Sequence, residues 1–334
     1  MNIYDISKKA GVSIATVSRV LNNSSKVSDQ TRRKVLAVME ENSYTPNAFA
    51  RSLGLNSMHT VGIMCADSSD VYLAQAIYYL ERELRNNGYA SMLCCTGYQL
   101  EEKEKYLQLL LSRNVDAIFF VGSNFVEDTD DRNNYLYTTA NRIPIFLLNG
   151  HIAAPNIYSV LCDDYQAILD ITNEVLRTGS HQPIYLYRSL SYSGRRKLAG
   201  FTDACLEHGL SFEEERSFLC PVSLDNTREF LSSLEANGVV FDSVIAADDE
   251  LAAGAVKYAL ASGKSIPGQI QITGYNNSMF STCSTPEITT IDNRVEFMCT
   301  TAVSLLMQAF QHKSIPAKTT FSGTVVHRQT TRPF

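Results

Sequence analysis

The sequence predicts an α/β chain in three parts: a three-helix head, a short linking helix, and a body of two helix-covered parallel sheets. Three observations lead there. The first 45 residues carry apolar positions at helical spacing, and Pro46 and Asn47 then interrupt the pattern. From His59 onward, short apolar runs alternate with longer amphipathic stretches. At 334 residues, 45% hydrophobic and 19% charged, the chain has material for two or three cored domains.

In the head, Ile3 to Ala10 forms a first helix with Ile3, Ile6 and Ala10 on one side, and Gly11 supplies a sharp turn. Ser13 caps a second helix over Ile14 to Leu21, and Ser28 caps a third that runs to about Asn42. Val17, Val20 and Leu21 are expected to pack on Val35, Leu36 and Met39. The opposite face of the second helix shows Ile14, Ala15, Ser18 and Arg19, small and hydroxyl-rich enough to enter a major groove about 12 Å wide. Such a face also suits a merely solvated helical mini-domain, and the charge of the head and the segment that follows it both weigh against that reading. Residues 1–58 hold eight Lys/Arg against four acids, a charge of +4, which leaves −10 for the rest. In the stretch YTPNAFARSLGLNS, Asn47 caps a marginal helix over Ala48 to Leu53 that sets Arg51 beside Leu53, a combination suited to a minor-groove wedge.

The body reads VGIMCA, YASMLCCT, VDAIFFVG and IPIFLLNG as one set of strands, then PIYLYRS, SVIAADD and IQITGYN as a second, with helices between. Parallel sheets with right-handed crossovers follow, and ligands lie at the carboxyl ends of such strands. Polar residues cluster there: Asp67 to Asp70 with Tyr72, Gly122 with Ser123, Asn149, Ser193 to Lys197, Asp248 with Asp249, and Asn276 with Asn277. One cluster is a solvated loop; six on one rim describe a cleft for a polyhydroxyl or small anionic metabolite. At Asp248-Asp249, one carboxyl is expected to cap the next helix and the other to accept hydrogen bonds.

Other chemistries find little support. Eight cysteines lie mostly in apolar runs without CxxC or metal-ligand spacing, and Cys94 and Cys95 alternate faces, so free thiols and no metal are expected. SGKS at 262–265 follows a helix instead of opening one, and Tyr258 stands where a phosphate-binding loop needs its first glycine. GxSxG and HExxH are absent and the six histidines are scattered, so no enzyme and no cofactor are expected. No apolar run approaches the roughly 20 residues of a membrane span, and the N-terminus lacks a signal-peptide core, which predicts a cytoplasmic protein.

The stretches IYDISKKAGVSIATVSRVLNN and VSDQTRRKVLAVMEENSYTPNAFARSL resemble, in order and spacing, the DNA-binding head and hinge of the lactose/galactose-repressor (LacI) family. The resemblance implies base-reading roles for Ile14, Ala15 and Arg19. It implies phosphate-side roles for Ser13, Thr16, Ser18, Asn22, Ser28, Thr31, Tyr44 and Asn47, with Tyr4 and Arg51 also on the DNA, and a minor-groove wedge at Leu53. Gly54 stands where other members often carry a different residue. For the body, the weaker resemblance implies a two-lobe, periplasmic-binding-protein-like fold crossed near Cys162, Thr290 and Gly323. The implied parts are a helix-turn-helix domain over 1–45, a hinge over 46–58, a first lobe over 59–161 and 291–322, and a second over 162–290 and 323–334. Effector positions fall on Asp70, Tyr72, Asn149, Ser193, Lys197, Asp248 and Asn276, with Ser123 beside them.

Here the chain departs from the family's pattern. Asp70-Val71-Tyr72 replaces Asn-Pro-Phe, Lys197 replaces an Arg, and Asp248 and Asn276 exchange the usual Asn and Asp, so the expected effector differs from the usual hexoses in shape or charge. The implied function is a sequence-specific repressor that binds a palindromic operator as a homodimer and responds to a sugar or sugar-like metabolite. Apolar surface for the dimer is expected from Leu73 to Leu84 and Glu101 to Leu111. Two alternatives stay open: a regulator read by a protein partner on the first lobe, and a ligand-binding or enzymatic body with a vestigial head.

Overall fold

The computed structural model describes residues 2–21, 24–44, 57–210, 216–220 and 223–333. Asn22, Asn47, Arg51, Leu53 and the expected hinge helix lie outside them.

The head is three helices, α1 (Ile3–Ala10), α2 (Ile14–Leu21) and α3 (Asp29–Glu41), around Ile6, Ala10, Val17, Val20, Val35 and Met39. Asn2 and Asp5 form a reciprocal capping box at the start of α1. Gly11 closes α1 in the left-handed region at φ +62°, where a residue without Cβ is unstrained, and this aims the chain into α2. Leu36, expected in this core, is 49% exposed instead. Val35, Val38 and Met39 form the inward i, i+3, i+4 stripe of α3, and Leu36 lies one step of about 100° off it.

The body begins with β1 (Thr60–Cys65), β2 (Ala90–Cys95), β3 (Ala117–Val121), β4 (Ile145–Leu148) and β5 (Ile157–Cys162). Between them run α4 (Val71–Asn86), α5 (Leu100–Ser112) and α6 (Asn134–Ala140). The second lobe follows with α7 (Asp164–Arg177), β6 (Pro183–Tyr187), α8 (Tyr192–Glu207), β7 (Ser217–Leu219), α9 (Leu224–Ala236), β8 (Ser243–Ala246), α10 (Asp249–Ala261), β9 (Gln271–Tyr275), α11 (Met279–Cys283) and β10 (Thr289–Asp292). Then α12 (Val295–Phe310) returns to pack on α4, β11 (Lys318–Phe321) pairs with β5, and β12 (Thr324–Val326) pairs with β10.

The strand orders are β2-β1-β3-β4-β5-β11 and β7-β6-β8-β9-β10-β12, parallel throughout except at β12. The α/β class with a helical head and two parallel-sheet lobes is therefore what the structure has. The chain passes between lobes after Cys162, after Asp292 and after Phe321, and Thr290 sits inside β10. Helices cover both faces, so central strands are apolar in every position: AIFFV of β3 and IFLL of β4 are buried end to end. In both sheets the strand order reverses beside the first strand, so each has a switch point, at β1/β3 and at β6/β8, where the connecting loops diverge and leave a crevice.

The leucines expected to make an apolar dimer surface are mostly core. Leu73, Leu80 and Leu84 pack under α4, and Leu107, Leu110 and Leu111 under α5, leaving Tyr78 and Leu109 as the large apolar side chains these helices expose.

Candidate functional site

The candidate nucleic-acid face is that of α2. Val17 and Val20 are buried, which turns Ile14, Ala15 and Arg19 outward on the opposite side. Ser13 Oγ accepts from the Thr16 amide at 3.1 Å and lies 2.9 Å from Thr16 Oγ1, so the helix starts on two exposed hydroxyls. Ser28 caps α3 the same way, accepting from the Thr31 amide at 3.3 Å. Ser18 is half-buried, Tyr4 exposed, and Tyr44 packs against the head core.

The second site lies where the two switch points face each other. From the first lobe, Asp70 caps α4, its carboxylate accepting from the Leu73 amide at 2.9 Å. Ser123 follows β3, and Asn149 follows β4 in the left-handed region at φ +62°, which an Asn side chain tolerates. Asn149 Nδ2 donates to Tyr72 Oη at 2.5 Å, and burial pushes the Tyr72 phenol well above its ordinary range. From the second lobe, Arg188 follows β6, Ser191 caps α8, and Asp248 caps α10 by accepting from the Leu251 amide at 2.9 Å. Arg188 Nε lies 2.7 Å from Asp248 Oδ2, and its Nη2 donates to Glu250 at 2.6 Å. The lobes touch: Ser123 Oγ and Ser191 Oγ are 2.8 Å apart, and Arg195 reaches Asp128. Asp70 is pushed above the usual carboxylate range by burial, with the charge of Asp248 adding to it and Arg188 opposing.

Lys197 and Ser193 are buried on α8. The Lys197 ammonium donates to the Ala247 carbonyl at 2.9 Å and stands 3.4 Å from the centre of the Tyr275 ring, and burial lowers its pKa. Tyr275 in turn donates to Asp164 Oδ1 at 2.5 Å. Asn276 accepts from Asn293 at 2.9 Å. Asp249, next to the capping Asp248, accepts from the Ser278 amide at 2.6 Å and from Thr290 Oγ1 at 2.5 Å; burial pushes it up to about 6.

Sequence reasoning passed over Arg188, Glu250, Asp164, Tyr275 and Asn293. Arg188 closes the run PIYLYRS at the carboxyl end of a strand, the position that singled out the other residues, so it was within reach. Asp164 and Asn293 flank two passages between lobes, and nothing local marks them. The rim loop with Ser123 has its own hidden anchor, for Lys103 is buried with its ammonium 2.6 Å from Glu127 and 2.5 Å from the Asn124 carbonyl.

All eight cysteines are free, with Cys94 buried and Cys95 exposed. Among the described residues no cluster of His, Cys, Asp and Glu could hold a metal, and no helix is long and apolar enough to cross a membrane.

A helix-turn-helix head joined to a two-lobe body defines a class of DNA-binding regulators, and comparison with known proteins narrows it. Residues 2–47 match the model for bacterial regulatory proteins of the lacI family, and residues 173–331 match that for a periplasmic binding protein-like domain. An HTH-type transcriptional regulator of Lachnoclostridium phytofermentans is 50% identical over 99% of both chains. Escherichia coli GalR is 29% identical, over 98% of this chain and 94% of its own length. Among solved structures, the lac repressor dimer bound to operator and the anti-inducer ONPF superposes with a TM-score of 0.89 at 23% identity, covering 99% of this chain and 98% of that one. A CelR–cellobiose complex gives 0.72 at 21% identity, covering 99% of each. The chain belongs to the LacI family and is an HTH-type transcriptional regulator.

Proposed function

We propose that the chain is a cytoplasmic, non-enzymatic repressor that binds a palindromic operator as a homodimer and changes its grip when a sugar or sugar-like metabolite occupies the interlobe cleft. The observation that carries this reading is the outward face of α2, Ile14, Ala15 and Arg19, held by two buried valines on a capped helix. Arg19 forks onto a guanine edge; Ser13, Thr16, Ser18, Ser28 and Thr31 take phosphates, with Tyr4 and Tyr44 flanking them. One such head buries too little surface for specific affinity, so two on a palindrome are required. The lac repressor is a dimer on its operator in the superposed structure, and CelR holds cellobiose, which supports both the dimer and the ligand class. The effector reading rests on Asp70, Tyr72, Ser123, Asn149, Ser193, Lys197, Asp248 and Asn276 at or under the facing strand ends. A ligand shifts DNA affinity only by the difference in its affinity for the two arrangements of the lobes.

The head is tested by Arg19→Ala. Binding to the selected operator should fall by about 1 to 3 kcal/mol, with base preference relaxed at one position of each half-site and binding to random DNA almost unchanged. Equal loss on both DNAs would make Arg19 a phosphate contact and sink its assigned role.

A further inference from the structure

We propose that the cleft takes a polyol without an acid group, neutral or aminated, and rejects its phosphorylated and carboxylated counterparts. This rests on the reading of the cleft as the effector site. Two independent features support it.

The first is a set of three buried acceptors that have no donor. Asn149 Oδ1, Asp164 Oδ2 and Asn293 Oδ1 are buried without a hydrogen-bond partner, although each residue is at least nine-tenths buried. Their other polar atoms are engaged, by Tyr72, Tyr275 and Asn276 respectively. Buried acceptors of this kind are satisfied by hydroxyl or ammonium donors and are made worse by an oxyanion.

The second is that, among the described residues, the cations at the cleft already have partners for their charge, although Nε of Arg188 and of Arg196 makes no hydrogen bond. Arg188 is engaged by Asp248 and Glu250, and Lys197 by the Ala247 carbonyl and the Tyr275 ring. Arg195 and Arg196, further along α8, hold Asp128 and Asp163. Against these stand the carboxylates of Asp70, Asp164, Asp248 and Glu250. Asp70 and Asp248 project from opposite lobes and repel, and the cation beside them, Arg188, is already shared by Asp248 and Glu250, so closure around an acid adds a further negative charge to that group. A donor-rich ligand relieves that repulsion.

The test is isothermal titration of the full-length protein with a panel of hexoses and disaccharides, the matching amino sugars, uronic acids and sugar phosphates. The expected result is binding by a neutral or aminated member at least tenfold tighter than by its uronic acid or phosphate. Asp70→Asn and, separately, Asp248→Asn keep a competent helix cap while removing one charge, and each is expected to narrow that ratio severalfold. An acid that binds wild type as tightly as its neutral parent overturns the proposal and leaves the effector reading standing. If no panel member binds while operator DNA is still held specifically, the polyol reading fails and this inference fails with it.

Discussion

Asp249 is a carboxyl that folding places in a poor solvent. Burial pushes it from 3.8 to about 6, while Ser278 and Thr290 pull the other way. Below pH 4 it is protonated in folded and unfolded chains alike; above pH 6 the folded chain must hold a desolvated carboxylate. The stability it contributes is therefore present at low pH and lost as pH rises through the folded value, by about 2 to 3 kcal/mol. Urea midpoints of wild type minus Asp249→Asn are expected to drift downward between pH 4 and 6 and then level off; a difference flat across that window would contradict the assignment. Lys103 is a buried cation held against Glu127. Lys103→Met leaves Glu127 with only the more exposed Arg132 at 3.4 Å and the Asn124 carbonyl without its donor, and is expected to cost about 1 to 3 kcal/mol in denaturant unfolding. A loss under 1 kcal/mol would mean water reaches the pair.

At the scale of elements, α7 and α8 press together because residue 200 has no side chain: a Cβ on Gly200 would lie 2.3 Å from the Tyr165 carbonyl oxygen. Gly200→Ala must part the two helices and is expected to destabilise the second lobe by about 1 to 3 kcal/mol, read by thermal unfolding. Of these, α8 was legible from periodicity, as were α1, α2 and α3 and the apolar strands β1, β3 and β4, whereas α7 and the buried β5 were not read. Elements were missed where those signals fade. β7, β11 and β12 are only three or four residues long, β11 and β12 are half-exposed, and α12 is apolar nearly all round. Leu36 shows the limit of spacing arguments, since one residue of rotation on α3 separates core from surface. Within the candidate site, strand-end clusters pointed to Asp70, Ser123 and Asp248. The pairing of Arg188 with Glu250 and the orphaned oxygen of Asp164 depend on how loops from distant segments meet, which local pattern does not encode.

For the whole molecule, the central relation is between a head that presents three outward side chains and a body whose lobes touch through Ser123 and Ser191 across the facing switch points. With the Arg195–Asp128 pair, that contact joins lobes that are also linked by three passages of chain, and a ligand held between the lobes would act on it. The claim that matters most is that the head reads sequence. Selection of genomic fragments by the purified protein at near-physiological salt, followed by sequencing, tests it directly. Enrichment of one palindrome with half-sites at a fixed separation is expected, with preference relaxed at one position of each half-site in Arg19→Ala; a flat profile from wild-type protein would contradict it.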